Sequence, residues 1–376
     1  MSEERIRIAI IIPGGIGTGK NNIGVPVMER LIRLLSDDFD VTVFSLFKIN
    51  KDYTPPGFTL VDCGNSNFVL RATKFYSSFK KLHKKRKFHV VHGFWTLPSG
   101  FLAVITGKIF KIKSVISVLG GDAISLPEIN YGQLRNRLPR GLVMWCLNQA
   151  NEVICLTHYL LDNLKKAGLK RNDVKIIPWG IDTSLFAFRE KSLSHPIKFL
   201  HIANLNPVKD QTTLLRAFKI IVGQVPSHLT IIGEGSAEQS VRKFASDLNM
   251  EDKITFKGLM PYEDLASHYH QADVLLHTSL SEGQSEVVTE AMSCGVLVCG
   301  TSVGLLYDQP LCCVSVPVQE DEMLGQVVLK VINDTERINT IKRNACAWSL
   351  AHSIRWTTEE ISKLYKLLAN PGGKAD

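Results

Sequence analysis

Two carboxylates separated by seven residues, Glu282 and Glu290, sit in the stretch HTSLSEGQSEVVTEAMSCG at residues 277–295. An apolar run ends near His277, and a loop of small residues follows. Ser285 then stands where it would cap a helix that turns Val287, Val288, Ala291 and Met292 inward. The first amides of a helix have no partner within it and carry partial positive charge. The N–H groups of Gly283, Gln284, Ser285 and Glu286 therefore offer a seat for an anion such as a diphosphate. Glu282 would flank that anion from the loop, and Glu290, on the same helix face as Glu286, from the other side. The vicinal hydroxyls of a ribose match the two oxygens of one carboxylate, which is chemistry suited to Glu290. The plainer reading is an acidic helix start favoured by the helix dipole.

A glycine-rich turn opens the chain, in IAIIIPGGIGTGKNN at residues 8–22. Gly14, Gly19 and Lys20 have phosphate-loop spacing, but Asn21 and Asn22 lack the hydroxyl that such a loop gives to magnesium. The dinucleotide pattern fails too, because Lys20 stands where the third glycine belongs. Eleven histidines, among them His89, His92, His268 and His270, have no carboxylate or cysteine at ligand spacing, and no metal site is expected. The eight cysteines form no CxxC pair and read as reduced thiols. No Gly-x-Ser-x-Gly elbow supports a hydrolase. Asp122, near the end of an apolar run, is a candidate for gripping an acceptor hydroxyl, or else it caps the helix that follows.

These residues need elements to position them. Apolar runs recur at 6–12, 41–46, 89–92, 114–118, 152–157 and 174–178, and again at 197–202, 229–233, 254–258, 273–277 and 296–300. Amphipathic stretches lie between them. Runs buried on both faces predict parallel strands with crossover helices, hence two doubly wound α/β domains. A length of 376 residues suits two cores. Pro178, Gly180 and Pro196 mark a linker at 178–196 between an N-terminal domain, 1–177, and a C-terminal one, 197–352. Ser236 with Gln239 predicts a capping box, and Gly295 a helix end.

Charge is uneven. Residues 1–177 hold 26 Lys and Arg against 13 Asp and Glu, and the remainder 18 against 23. The first half alone therefore predicts a polyanionic or membrane-surface partner. Within it, VLRATKFYSSFKKLHKKRKF at 69–88 predicts a helix with Phe75, Phe79 and Leu82 in a stripe and lysines around it. Such a helix either lies on an anionic membrane or turns its stripe to the core, and the basic excess of the first half favours the membrane. The acidic start MSEER does not read as a signal peptide, and Lys108, Lys111 and Lys113 interrupt the most apolar long stretch, which predicts no membrane span.

Glu282-x7-Glu290, continuing into EAMSCG and preceded by ADVLLHTSLSEG, resembles the signature of retaining glycosyltransferases of the GT-B fold, in particular glycosyltransferase family 4. HIANLNPVKD (201–210), IIPWGIDTSLF (176–186), IIGEGSAEQSVRKFA (231–245) and SIRWTTEEISKLYKLL (353–368) are similar to that family's segments in order and spacing. FHVVHGFWTLPSG (88–100) and SVLGGDA (117–123) resemble its acceptor side. The resemblance implies two Rossmann-like domains facing a cleft, with a C-terminal helix near 353–370 returning to the first. It implies that Lys209 neutralises the donor diphosphate, that Glu290 binds ribose, that Glu282 faces the donor sugar, and that Gly14, Gly15 and Gly233 let backbone approach the nucleotide. Three departures stand out. Asn204 replaces the usual arginine partner of Lys209, Leu119 a common histidine, and Gln284 a common phenylalanine.

The expectation is a metal-independent, cofactor-free transferase that moves a sugar from a nucleotide diphosphate to a glycan or lipid-linked acceptor. It would serve surface polysaccharide or glycolipid synthesis, be cytoplasmic or peripheral on the inner membrane face, and bind no nucleic acid. A sugar-nucleotide epimerase and an inactive sugar-nucleotide-binding paralogue are the alternatives.

Overall fold

Short runs of Ile, Val and Leu cannot leave either face in water, so each is sandwiched between helices. The computed structural model describes residues 5–18 and 24–370; Lys20, Asn21 and Asn22 lie outside them. The chain forms two units, Met1–Trp179 with Ile354–Asp376, and Gly180–Ser353.

The first unit runs β1 (Arg7–Ile12), α1 (Pro26–Asp38), β2 (Asp40–Ser45), β3 (Thr59–Asp62), α2 (Phe68–Lys85), β4 (Val90–Phe94), α3 (Phe101–Phe110), β5 (Lys113–Val118), α4 (Arg137–Gln149), β6 (Glu152–Cys155), α5 (His158–Lys166) and β7 (Lys175–Ile176). Its sheet is parallel throughout, in the order β3-β2-β1-β4-β5-β6-β7. The edge strand β3 was not expected: TLVD is only partly buried and shows no apolar run.

Helix α2 corrects one expectation. Asn67 caps it, and Phe75 and Phe79 are 1% and 0% exposed. They pack on Phe44, Phe88 and Phe110 as part of a core beneath the sheet. The stripe faces the core and is closed to a membrane, while Lys80, Lys81, Lys84 and Lys85 stay exposed.

The second unit runs β8 (Ile197–Ile202), α6 (Gln211–Val222), β9 (Ser227–Ile232), α7 (Glu238–Asp247), β10 (Ile254–Phe256), α8 (Leu265–Gln271), β11 (Val274–His277), α9 (Glu286–Ser293), β12 (Leu297–Thr301), α10 (Leu305–Asp308), β13 (Val314–Val316), α11 (Asp321–Ile332) and α12 (Thr335–Ala351). Its parallel sheet has the order β10-β9-β8-β11-β12-β13. Most of segment 178–196 belongs to this unit, with Ile181 and Phe186 buried in it. Ser236 does not cap α7. The helix begins at Glu238 behind Ala237, because the Ala237 amide donates to Leu205 O at 2.8 Å and fixes the turn one residue later. Gly295, at φ +76°, follows the end of α9 as expected.

The last helix, α13 (Ile354–Ala369), packs in the first unit against α1 and β4. Tyr365 is its anchor. The Tyr365 hydroxyl lies 2.6 Å from His92 Nδ1, and His92 Nε2 lies 2.8 Å from Ser117 Oγ. Burial pushes the imidazole down to about 3, so the relay is uncharged at neutral pH.

Candidate functional site

In an open parallel sheet, strand order reverses at one point, and the loops leaving the carboxyl ends there diverge to leave a crevice. In the second unit this point lies between β8 and β11. Lys209 is carried on the turn after β8, and Glu282 on the loop after β11. The turn is fixed by Asp210, whose side chain accepts from the Thr213 amide at 3.2 Å and so caps α6.

The two charges meet. Lys209 Nζ donates to Glu282 Oε1 at 2.6 Å, and Ser279 Oγ donates to the same oxygen at 2.6 Å. His277 Nε2 makes a longer contact of 3.3 Å with it. Burial alone would raise the Glu282 carboxyl, but Lys209 and His277 outweigh that and hold it well below the usual carboxylate range. Oε1 is thus saturated, and Oε2 is the atom left for a ligand.

The helix beyond has the opposite electrostatics. Glu290, 2% exposed, accepts from the Tyr269 hydroxyl at 2.6 Å on Oε2, and Tyr262 adds a second hydrogen bond. Burial nevertheless raises its carboxyl to about 7. Glu286 is raised to about 8 by burial and by Glu290. The site therefore pairs one firmly ionised carboxylate with two that take up protons near neutrality.

The loop places the remaining candidates unequally. Ser285 occupies the cap position of α9 at φ +78°, and its side chain accepts no capping bond. The first helical amides, of Glu286 and Val287, donate to no acceptor among the described residues, which leaves them for an anion. Gly283 is buried, and Gln284, 3% exposed, points inward and donates to Thr289 Oγ1 at 3.1 Å. Asn204 is exposed, and its side chain makes no hydrogen bond among the described residues; its backbone carbonyl accepts from Gln211. Gly233, at φ +128°, has a packing reason of its own, since a Cβ there would sit 1.9 Å from Ala203 O. The sequence reading missed Tyr262 and Tyr269, which come from the preceding helical segment, and His277 and Ser279. Only Ser279 carried a signal, a hydroxyl three residues ahead of Glu282.

Three first-unit candidates have local duties. Asp122 is fully buried. Its Oδ2 accepts from the Thr96 amide and hydroxyl at 2.9 and 3.0 Å, and its Oδ1 from the amides of Leu119 and Gly120 at 3.2 and 2.9 Å. It ties two loops together, and both of its oxygens already accept two hydrogen bonds each within the chain, a local duty that the expectation of an acceptor-gripping Asp122 did not include. Gly15 closes its own loop: its amide donates to Thr18 Oγ1 at 2.9 Å and its carbonyl accepts from the Val25 amide at 2.7 Å. A Cβ on Gly14 would meet the Phe47 ring at 2.8 Å. Among the described residues no group of His, Cys, Asp and Glu has the arrangement to hold a metal ion.

Residues 25–185 match the family Glycosyltransferase Family 4, and residues 185–348 match Glycosyl transferases group 1. N-acetyl-alpha-D-glucosaminyl L-malate synthase of Bacillus anthracis is 24% identical over 317 residues, 80% of either chain. The GDP-mannose-dependent alpha-(1-6)-phosphatidylinositol monomannoside mannosyltransferase of Mycolicibacterium smegmatis is 29% identical over 175 residues, 42% of this chain and 46% of that one. Among solved structures, sucrose-phosphate synthase from Thermosynechococcus elongatus superposes with a TM-score of 0.81 at 19% identity, over 98% of this chain and all (100%) of the other. Anabaena HepE in complex with UDP and glucose gives 0.77 at 16% identity, over 96% and 99%.

Proposed function

Since the chain belongs to the family 4 glycosyltransferases, of GT-B fold, we propose that it moves a sugar, with retention of configuration, from a nucleoside diphosphate donor to a glycan or lipid-linked acceptor. The donor sits on the second unit. The observation that carries this reading is the carboxylate Glu282, clamped on one oxygen by Lys209 and Ser279 with the other oxygen left over. A donor sugar hydroxyl is the natural partner for that oxygen. Negative charge develops on the departing diphosphate, where the Lys209 ammonium has two further N–H donors and the start of α9 has free amides. Those groups supply the positive charge, so the reading requires no metal. Glu290, steadied by Tyr269, takes the ribose.

The chain's likeness in fold to HepE, solved with UDP and glucose, makes UDP the first nucleotide to try. A thermal-shift panel of UDP, GDP and ADP tests the donor site. A ligand at a hundred times its dissociation constant that binds only the folded protein stabilises it by about 2.7 kcal/mol. Transfer itself is tested by release of free nucleoside diphosphate that depends on acceptor and persists in EDTA. Sugar epimerisation without release would favour the epimerase reading, and nucleotide binding with neither reaction the inactive paralogue.

A further inference from the structure

An α-helix that buries one face should show water a polar opposite face. Helix α4 does not. Val143, Cys146 and Leu147 face the core, yet Leu138, Leu142 and Trp145 are 87%, 38% and 37% exposed. Their spacing of four and then three residues puts them in one outward stripe. The stripe continues onto α3: Phe101 lies 6.1 Å from Trp145 between ring centroids, Lys108 Nζ lies 5.8 Å from the Trp145 ring, and Ile109 beside it is 52% exposed. Phe110 in turn contacts Tyr76 of α2, 37% exposed, so the three helices share one outer layer.

The exposed charge around this stripe is mostly positive. Lys108, Lys111, Lys113, Arg135 and Arg137 are all exposed. Of the five acids between residues 101 and 177, Asp122 is fully buried, Glu152 and Asp162 are partly buried, Asp173 is paired with Arg171, and Glu128 alone is exposed without an ion pair among the described residues, ten residues ahead of Leu138. Aliphatic and indole groups ringed by cations match the boundary between the hydrocarbon and the headgroups of an anionic bilayer. Two other occupants fit less well. A symmetric contact with a second copy would set the arginines of each against the other. A nucleic acid would satisfy the cations but give Leu138 no hydrocarbon to enter.

We infer that the outer face of α4, with the end of α3, docks the first unit on an anionic lipid surface, and that Leu138, Leu142 and Trp145 enter it. This moves the membrane contact away from the stripe of α2. The test is independent of glycosyl transfer, because no sugar nucleotide enters it. The full-length protein is sedimented with vesicles of equal parts phosphatidylglycerol and phosphatidylcholine, or of phosphatidylcholine alone. Pelleting with the anionic vesicles only is expected. The doubly substituted Leu138→Asp, Leu142→Asp protein should partition about tenfold or more weakly while melting as the parent does, since both side chains are exposed. Brominated phosphatidylcholine mixed into the anionic vesicles should quench the parent's fluorescence, and Trp145→Phe should lose most of that quench while still pelleting. Unchanged pelleting of the doubly substituted protein, or unchanged quenching of Trp145→Phe, overturns the inference. So does a dimer in sedimentation velocity that Leu138→Asp dissolves.

Discussion

Without ligand, the Lys209 ammonium is tied to Glu282, so its removal acts twice. Lys209→Ala should weaken UDP binding far more than uridine binding, whereas Glu290→Ala should weaken both; calorimetry with the two ligands reads the difference. Lys209→Ala also strands a partly buried carboxylate, at about 3 kcal/mol. Adding Glu282→Gln should restore the melting temperature without restoring diphosphate affinity. Glu286 gives a pH signature. Its carboxyl stays protonated in the fold up to about 8 but ionises near 4.5 in the unfolded chain, so the fold holds the extra proton between those values. Stability from this group is therefore present at low pH and declines as pH rises from about 4.5 towards 8, then levels off. Above that range the carboxylate also repels a diphosphate. Melting temperature should fall less steeply between about 4.5 and 8, and UDP affinity less steeply as pH rises through about 8, in Glu286→Gln than in the parent. At this scale Glu282 and Glu290 could be singled out because a loop and a helix start declare themselves locally, whereas Lys209 entered only through the family resemblance. Tyr269 and Tyr262 were not, because nothing in the sequence says which helix will lie beside α9.

Elements were legible wherever burial was two-sided. β1, β8 and β11 are continuous apolar runs, but β3 and β13 are short edge strands whose residues carry no such mark. Amphipathic helices were legible as helices, and their orientation was not. A stripe of three apolar residues reads the same whether it meets a sheet or a lipid, and only packing distinguishes α2, whose Phe75 and Phe79 are enclosed, from α4, whose Leu138 is open. Phe79 accordingly belongs to the core. Phe79→Ala should lower stability by about 3–5 kcal/mol in denaturant melts, while Lys80→Glu on the same helix should change it by less than about 0.5 kcal/mol.

At the scale of the whole molecule, two α/β units were foreseeable from the repeated runs, but the pinning of α13 by Tyr365 was not, since His92 and Tyr365 stand 273 positions apart. Tyr365→Phe should leave one His92 nitrogen buried without a partner, a loss of about 1–3 kcal/mol that a thermal melt of the full chain would register. The membership of α13 in the first unit also has a consequence for synthesis. The unit that leaves the ribosome first is closed last, because the whole of Gly180–Ser353 must be translated before Ile354 emerges. At about 5–20 residues per second that delay is roughly ten to thirty-five seconds. Throughout it, Phe39 and His92 have no Tyr365 to cover them. A nascent chain halted before residue 354 should be cut by protease in its earlier half and resist in its later half, an order of maturation opposite to the order of translation.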